Sequence, residues 1–449
     1  MIDGLLLKNL RVVDHHSLYP FAKSLLTVKI HLRTLRVALL ATALLVSLGF
    51  SAQAKPKTDA GSNAAAKPAN PKANGFDAEA RLIQVYQRIS QAQTREALAL
   101  ADKLVADYPN FALAQLVHGD LLMAKYRPIK VMGDMPEATA RAAPGVLGEL
   151  REESLLRIKA LRERPPAGMV PAQFLQLSLR NKHAIAIDAS RSRLYVFENT
   201  ANGLKLVQDY YISVGKLGIE KAVEGDLRTP LGVYYITNTL SRKILKDFYG
   251  AGALPINYPN PYDLRRGKTG SGIWLHGTPS SQFSRAPKST DGCVVLSNHD
   301  LQRILASTEI RTTPVVIAQS LQWVLPAQSN AENKNFETLW MQWHRAKTGG
   351  DITSTLAFYT PDFNSYGKTL KDWTDVLGGE IKAARGRDVQ IKDLSMLKWT
   401  ESAQVSTMVV TFAEVIAGKT TGITKRQYWL RSPSDTANQW KIFFEGVIG

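Results

Sequence analysis

The sequence predicts a multidomain protein: a helical N-terminal region, a mainly β central domain and an α+β C-terminal domain. Apolar residues recur at helical spacing as far as residue 164, and at strand spacing from residue 183. Near residue 325 the pattern changes again, to helices followed by four strand candidates. With 449 residues, 45% of them hydrophobic, the chain can bury several cores.

The N-terminus reads as an address. "KIHLRTLR" (29–36) is basic, "VALLATALLVSLGF" (37–50) is a 14-residue run without a charge, and "SAQA" (51–54) sets Ala52 and Ala54 in A-x-A order. This is the order of a secretory signal, and the run is short for a transmembrane helix. A signal peptide over 1–54, cleaved after Ala54, is expected, with an uncleaved anchor as the alternative. Cleavage leaves no stable membrane span and an exported, periplasmic protein of a Gram-negative envelope. No cysteine follows the apolar run, which excludes a lipoprotein anchor. Residues 55–75, rich in Ala, Pro, Lys and Asn, read as a flexible linker.

Helical spacing then takes over. Leu82, Val85, Tyr86 and Ile89 form one apolar set, and Ala97, Leu98, Ala101, Leu104, Val105 and Tyr108 a second. "DYPNF" (107–111) interrupts at Pro109, and "ALAQLVHGDLLMAK" (112–125) resumes the pattern. A helix, a Tyr-Pro-Asn turn and a helix resemble one tetratricopeptide-type unit, suited either to docking a protein partner or to capping the next domain. With a further helix at 146–164, stopped by Pro165 and Pro166, the helical region is placed at 76–180.

Strand candidates follow at 183–199 (two strands around a turn), 204–215, 232–237, 272–277 and 313–319, within a domain placed at 181–322. The last domain, 330–449, opens with helices at 335–350 and near 369–384. Strands are expected at 389–399, 404–417, 423–432 and 439–447. Six of the eight tryptophans lie in this unit, at spacings that suit a core.

Composition limits the chemistry. The net charge is +17, from 56 Lys+Arg against 39 Asp+Glu, which favours an anionic partner. No zinc-finger spacing, basic zipper or aromatic RNA-binding signature is present, so no nucleic acid is expected. The eight histidines lack paired ligand spacing, so neither a metal nor another cofactor is expected.

Cys293 is the only cysteine and cannot form an intramolecular disulfide. It follows Gly292, which lets backbone approach a substrate carbonyl. His276 lies 17 residues upstream, where "GIWLHG" turns from strand to loop. Thiol acyl transfer needs a thiolate, a base and backbone N–H groups for the oxyanion, and these residues supply the first two.

The stretch "GIWLHGTPSSQFSRAPKSTDGCVVLSN" (272–298) resembles the L,D-transpeptidase (YkuD) catalytic domain, marked by His276-Gly277 and Thr290-Asp291-Gly292-Cys293. "ISVGKLGIEKAVEGDLRTPLGVYYI" (212–236) is similar to the family's Gly-Lys and Thr-Pro-x-Gly-x-Tyr run, and "LPINYPNPYD" (254–263) to a segment lining the active site. One departure is Val295, where many members carry arginine. The C-terminal unit resembles a nuclear transport factor 2-like domain, a sheet and helices forming a cone.

The resemblance implies an acyltransferase acting on peptidoglycan stem peptides, with Cys293, His276, Thr290 and Gly292 catalytic. Arg285, Lys288, Tyr258 and Gly277 are expected at the substrate, with Arg285 or Lys288 replacing the missing arginine. Cys293 is expected to attack the bond between diaminopimelate and a terminal D-alanine. Thr290 is expected to orient His276 or the turn, and the N–H groups of Gly292 and Cys293 to face the oxyanion. An amine acceptor makes the enzyme an L,D-transpeptidase; water makes it an L,D-carboxypeptidase trimming tetrapeptides, as in a group of cell-shape enzymes. A non-catalytic envelope scaffold is the rival from another class.

Overall fold

The computed structural model describes residues 77–134, 144–401, 405–431 and 439–448. The expected signal peptide (1–54) and linker (55–75) lie outside them.

Three helices, α1 (Asp77–Ser90), α2 (Thr94–Asp107) and α3 (Ala112–Met123), open the described chain, followed by α4 (Pro144–Arg162). Their core is the apolar set read from the periodicity, with Leu82, Val85, Ala97, Leu98, Ala101 and Leu104 all buried. Ile89 is the exception: it ends α1 at the solvent, 43% exposed. The helical region stops at Arg162, short of the expected residue 180. Within the remainder, the short strand β1 (Phe174–Gln176) joins the sheet of the C-terminal domain instead.

The central domain is built on β2 (His183–Asp188), β3 (Arg193–Thr200), β4 (Gly203–Tyr211), β5 (Val214–Gly215), β6 (Gly232–Tyr235), β7 (Leu240–Ser241), β8 (Gly252–Pro255), β9 (Trp274–His276), β10 (Lys288–Thr290), β11 (Val294–Val295) and β12 (Pro314–Ala318). Helices α5 (Pro261–Arg265) and α6 (Asn298–Ser307) are inserted between them. One sheet has the order β4-β3-β2-β12-β6 and a second the order β11-β9-β8-β7; β5 and β10 form a parallel pair. The expected strand at 204–215 is therefore two, because Ile212 and Ser213 leave β4 before β5 begins.

Strands β2, β3 and β12 of the five-stranded sheet are buried on both faces. Ile185, Ile187, Leu194, Val196, Val315 and Ile317 pack into the catalytic core beneath the second sheet. Their alternates Ala184, Ala186, Tyr195, Phe197, Val316 and Ala318 pack against the C-terminal domain. Period-two alternation with both sets apolar is the pattern of a strand covered on both sides.

The C-terminal domain opens with α7 (Pro326–Thr348), α8 (Ile352–Leu356) and α9 (Leu370–Ala384). Its strands are β13 (Val389–Thr400), β14 (Ser406–Ile416), β15 (Ile423–Arg431) and β16 (Lys441–Val447). With β1 they form an antiparallel sheet of order β1-β13-β14-β15-β16. One face carries Leu397, Val409, Tyr428 and Phe443 against the central domain, and the other closes over a core holding Trp340, Trp343, Trp373 and Trp429. The tryptophans are structural, as their spacing suggests; Trp340, Trp343 and Trp429 are fully buried.

Candidate active site

Strand register brings the two candidate catalytic residues to one face. β9 and β11 run parallel, with Leu275 opposite Val294 and His276 opposite Val295. Leu275, Val294 and Leu296 point into the core. The alternates, His276 and Cys293, therefore emerge on the opposite face. Both line a pocket of about 220 Å³ with Arg285, Thr290, Asp291, Lys221, Phe248 and Tyr249.

The His276 ring is buried between Tyr249, with centroids 5.1 Å apart, and Phe248, at 5.8 Å. Its Nδ1 lies 2.8 Å from the Gly277 carbonyl oxygen. A carbonyl only accepts, so Nδ1 carries the hydrogen and Nε2 is left as the free base. Burial disfavours the imidazolium and pulls the pKa of His276 down to about 4, against the hydrogen bond to Gly277. Cys293 Sγ donates to the Gly272 carbonyl at 3.5 Å. Burial pushes its thiol above the usual range, opposed by a backbone hydrogen bond from Trp274 and by the cations Arg285 and Lys221. The resting pair is thus a neutral thiol and a neutral imidazole.

Thr290 serves the turn. Its Oγ1 donates to the Cys293 carbonyl at 2.7 Å and accepts from Gly292 N–H at 3.1 Å, while its own carbonyl accepts from Lys216 N–H at 2.7 Å. Of the two expected roles, orienting the turn is the one its contacts fit. The Gly292 N–H is committed to Thr290 and so is not free for the oxyanion role expected of it. Gly292 is required for shape: its φ is +125°, and a Cβ there would come within 2.8 Å of the Arg228 carbonyl oxygen.

The residues expected at the substrate divide. Arg285 reaches the pocket, its guanidinium 4.6 Å from the Phe248 ring centroid. Lys288 does not: it is exposed on β10, three residues further along and outside the pocket lining. Tyr258 is buried in the catalytic core and donates to the Thr269 carbonyl at 3.1 Å, so its hydroxyl is spent on structure. Gly277 acts through its backbone, accepting from His276 and donating to the Tyr249 carbonyl at 3.1 Å. Val295 is buried on the site's face, 2% exposed, beside β9.

Other residues were not singled out from sequence. Thr229 Oγ1 donates to the Gly292 carbonyl and accepts from Gly215 N–H, each at 2.9 Å, tying the cysteine turn to β5. The Thr-Pro pair at 229–230 was the available signal. Phe248 and Tyr249, which wall His276, stand in a short 3₁₀ turn with no local signature. Among the described residues no group of three His, Cys, Asp or Glu could hold a metal ion.

Residues 182–317 match the family model of the L,D-transpeptidase catalytic domain, YkuD. The central domain is an L,D-transpeptidase catalytic domain. Residues 336–446 match the Cds6 C-terminal NTF2-like domain, so the C-terminal unit is NTF2-like. The chain accordingly carries an L,D-transpeptidase catalytic domain followed by an NTF2-like domain. Among solved structures, Bd1075 of Bdellovibrio bacteriovorus is 26% identical, with a TM-score of 0.51, over 62% of this chain and 98% of that one. The helical cell shape determining protein Pgp2 of Campylobacter jejuni is 18% identical over 66% of this chain and 99% of that one, with a TM-score of 0.46. No curated protein matches the chain.

Proposed function

We propose that this protein is an exported cysteine acyltransferase of the cell envelope that remodels peptidoglycan stem peptides through a Cys293 thioester. The observation that carries the reading is the shared pocket: Cys293 and His276 project from one face of paired strands, with the His276 Nε2 left free by the Gly277 bond. The substrate's scissile amide joins the L-centre of diaminopimelate to a terminal D-alanine.

Nε2 of His276 takes the thiol proton as Sγ bonds to the carbonyl carbon. The Cys293 N–H faces the developing oxyanion. The C–N bond then breaks, and the proton passes from His276 to the leaving amine. An acceptor amine next attacks the thioester, gives a proton to His276, and releases the new amide and the thiol. That is transpeptidation; with water in place of the amine the product is a free carboxylate, the carboxypeptidase outcome. Arg285 supplies a cation at the pocket for a stem-peptide carboxylate, the role the buried Val295 leaves open.

The test is incubation of the purified protein with tetrapeptide stems, with products read by mass spectrometry. Dimers joined between two diaminopimelate residues identify a transpeptidase, and tripeptide alone a carboxypeptidase. Both should vanish in Cys293→Ala. Wall binding without any Cys293-dependent product favours the scaffold.

A further inference from the structure

The loop between His276 and Cys293 is shared between two parts of the molecule. Three consecutive residues divide: Phe283 and Ser284 turn into the helical unit, while Arg285 turns into the catalytic pocket. Phe283 is 7% exposed and belongs to the core of the helices, although 160 residues separate it from α3. Its ring stacks on Phe111 at 4.2 Å between centroids and meets Tyr108 edge-on at 5.4 Å. The Phe283 N–H donates to the Asn110 carbonyl at 3.1 Å, and Asn110 Nδ2 donates to the Ser280 carbonyl at 3.1 Å. The gripping residues are thus those of the Tyr-Pro-Asn turn between α2 and α3.

A second tether runs beside the first. Ser284 Oγ donates to Glu153 of α4 at 2.8 Å. Arg157, also paired with Glu153, lies over the Tyr211 ring at 3.9 Å, and the Tyr211 hydroxyl donates to the Arg285 carbonyl at 2.9 Å. Arg285 is therefore bracketed, on its N-terminal side by the helical unit and through its own carbonyl by a tyrosine beneath Arg157.

We propose that the N-terminal helical unit is a positioning element of the active site: its Tyr-Pro-Asn turn seats Phe283 and thereby holds the Arg285 guanidinium over the Cys293 pocket. Phe283 is a positioning residue, acting through Arg285. The identity of the substrate carboxylate rests on the proposed function; the placement of the guanidinium beside Cys293 does not.

The test uses the full chain and alkylation of its only cysteine. Anionic iodoacetate and neutral iodoacetamide are compared, so that the rate ratio reads the cation beside Cys293. Phe283→Ala and Arg285→Ala should each lower that ratio about fivefold, as expected for losing one nearby charge in a partly screened pocket. The double variant should fall no further than Arg285→Ala alone, because the two act in series. Phe283→Leu, which refills the seat, should restore the ratio, and tetrapeptide KM should rise in Phe283→Ala more than kcat falls. If Phe283→Ala does not fold, Asn110→Ala loosens the same grip from the turn and should lower the ratio in the same direction. A folded Phe283→Ala with the wild-type ratio, or a loss additive with Arg285→Ala, overturns the proposal. A shifted ratio in a protein that turns over no stem peptide sinks the assigned reaction and upholds the positioning role.

Discussion

His276 is buried and Cys293 half-buried, and neither carries a charge at rest. Iodoacetamide alkylation of Cys293 should therefore titrate above the pH of a free thiol; a midpoint near 6 would mean a preformed thiolate–imidazolium pair. His276 has a second consequence. Its pKa of about 4 lies below the ordinary 6.5, so between these values the unfolded chain binds a proton that the folded chain refuses. Stability is then lost as pH falls from 6.5 towards 4, by up to roughly 3 kcal/mol. His276→Gln should flatten that part of the denaturation curve, and an unchanged slope contradicts the assignment. Thr229 tests the turn: Thr229→Val leaves Gly215 N–H and the Gly292 carbonyl unpaired, at a cost of about 1–3 kcal/mol in thermal unfolding, with slower stem-peptide turnover. An undiminished melting temperature would show that the turn holds without it. The cysteine turn was legible in sequence because Thr290, Gly292 and Cys293 bond within four residues. Thr229 stands out in sequence only as part of a motif, since its partner is 63 residues away. Tyr258 was misplaced because sequence shows a tyrosine near the site but not which way it faces.

At the scale of elements, β1 is the least expected feature. Three residues have no periodicity to read, and their partners Met396 and Leu397 lie more than 200 residues on. Phe174 enters the core shared by the two sheets and meets Phe197 edge-on at 5.7 Å. Phe174→Ala should cost about 3–5 kcal/mol in denaturant unfolding, and a loss under 1 would mean that β1 merely lies against the sheet. The long amphipathic segments, by contrast, were legible to within a few residues: α1 to α3 and β13 to β16 carry their own period. The grip on Phe283 was not, because the Tyr-Pro-Asn turn and the loop after His276 are each visible in sequence but their contact is not.

The molecule as a whole is joined by apolar surfaces. Tyr195, Phe197, Val233, Tyr235 and Val316 of the central sheet share one core with Leu397, Val409, Tyr428 and Phe443 of the NTF2-like domain. Residues 182–317 expressed alone would expose that face, and should aggregate or bind hydrophobic dye where the full chain does not. Catalytic and C-terminal domains should unfold in one calorimetric transition; two resolved transitions would contradict a common core.

The most direct measurement is intact-protein mass spectrometry of the full chain, quenched in acid soon after mixing with a tetrapeptide stem. An adduct of the tripeptide acyl group, mapped by fragmentation to Cys293 and absent from Cys293→Ala, is the predicted result. Turnover with no adduct at Cys293, or product formed by Cys293→Ala, would contradict the account.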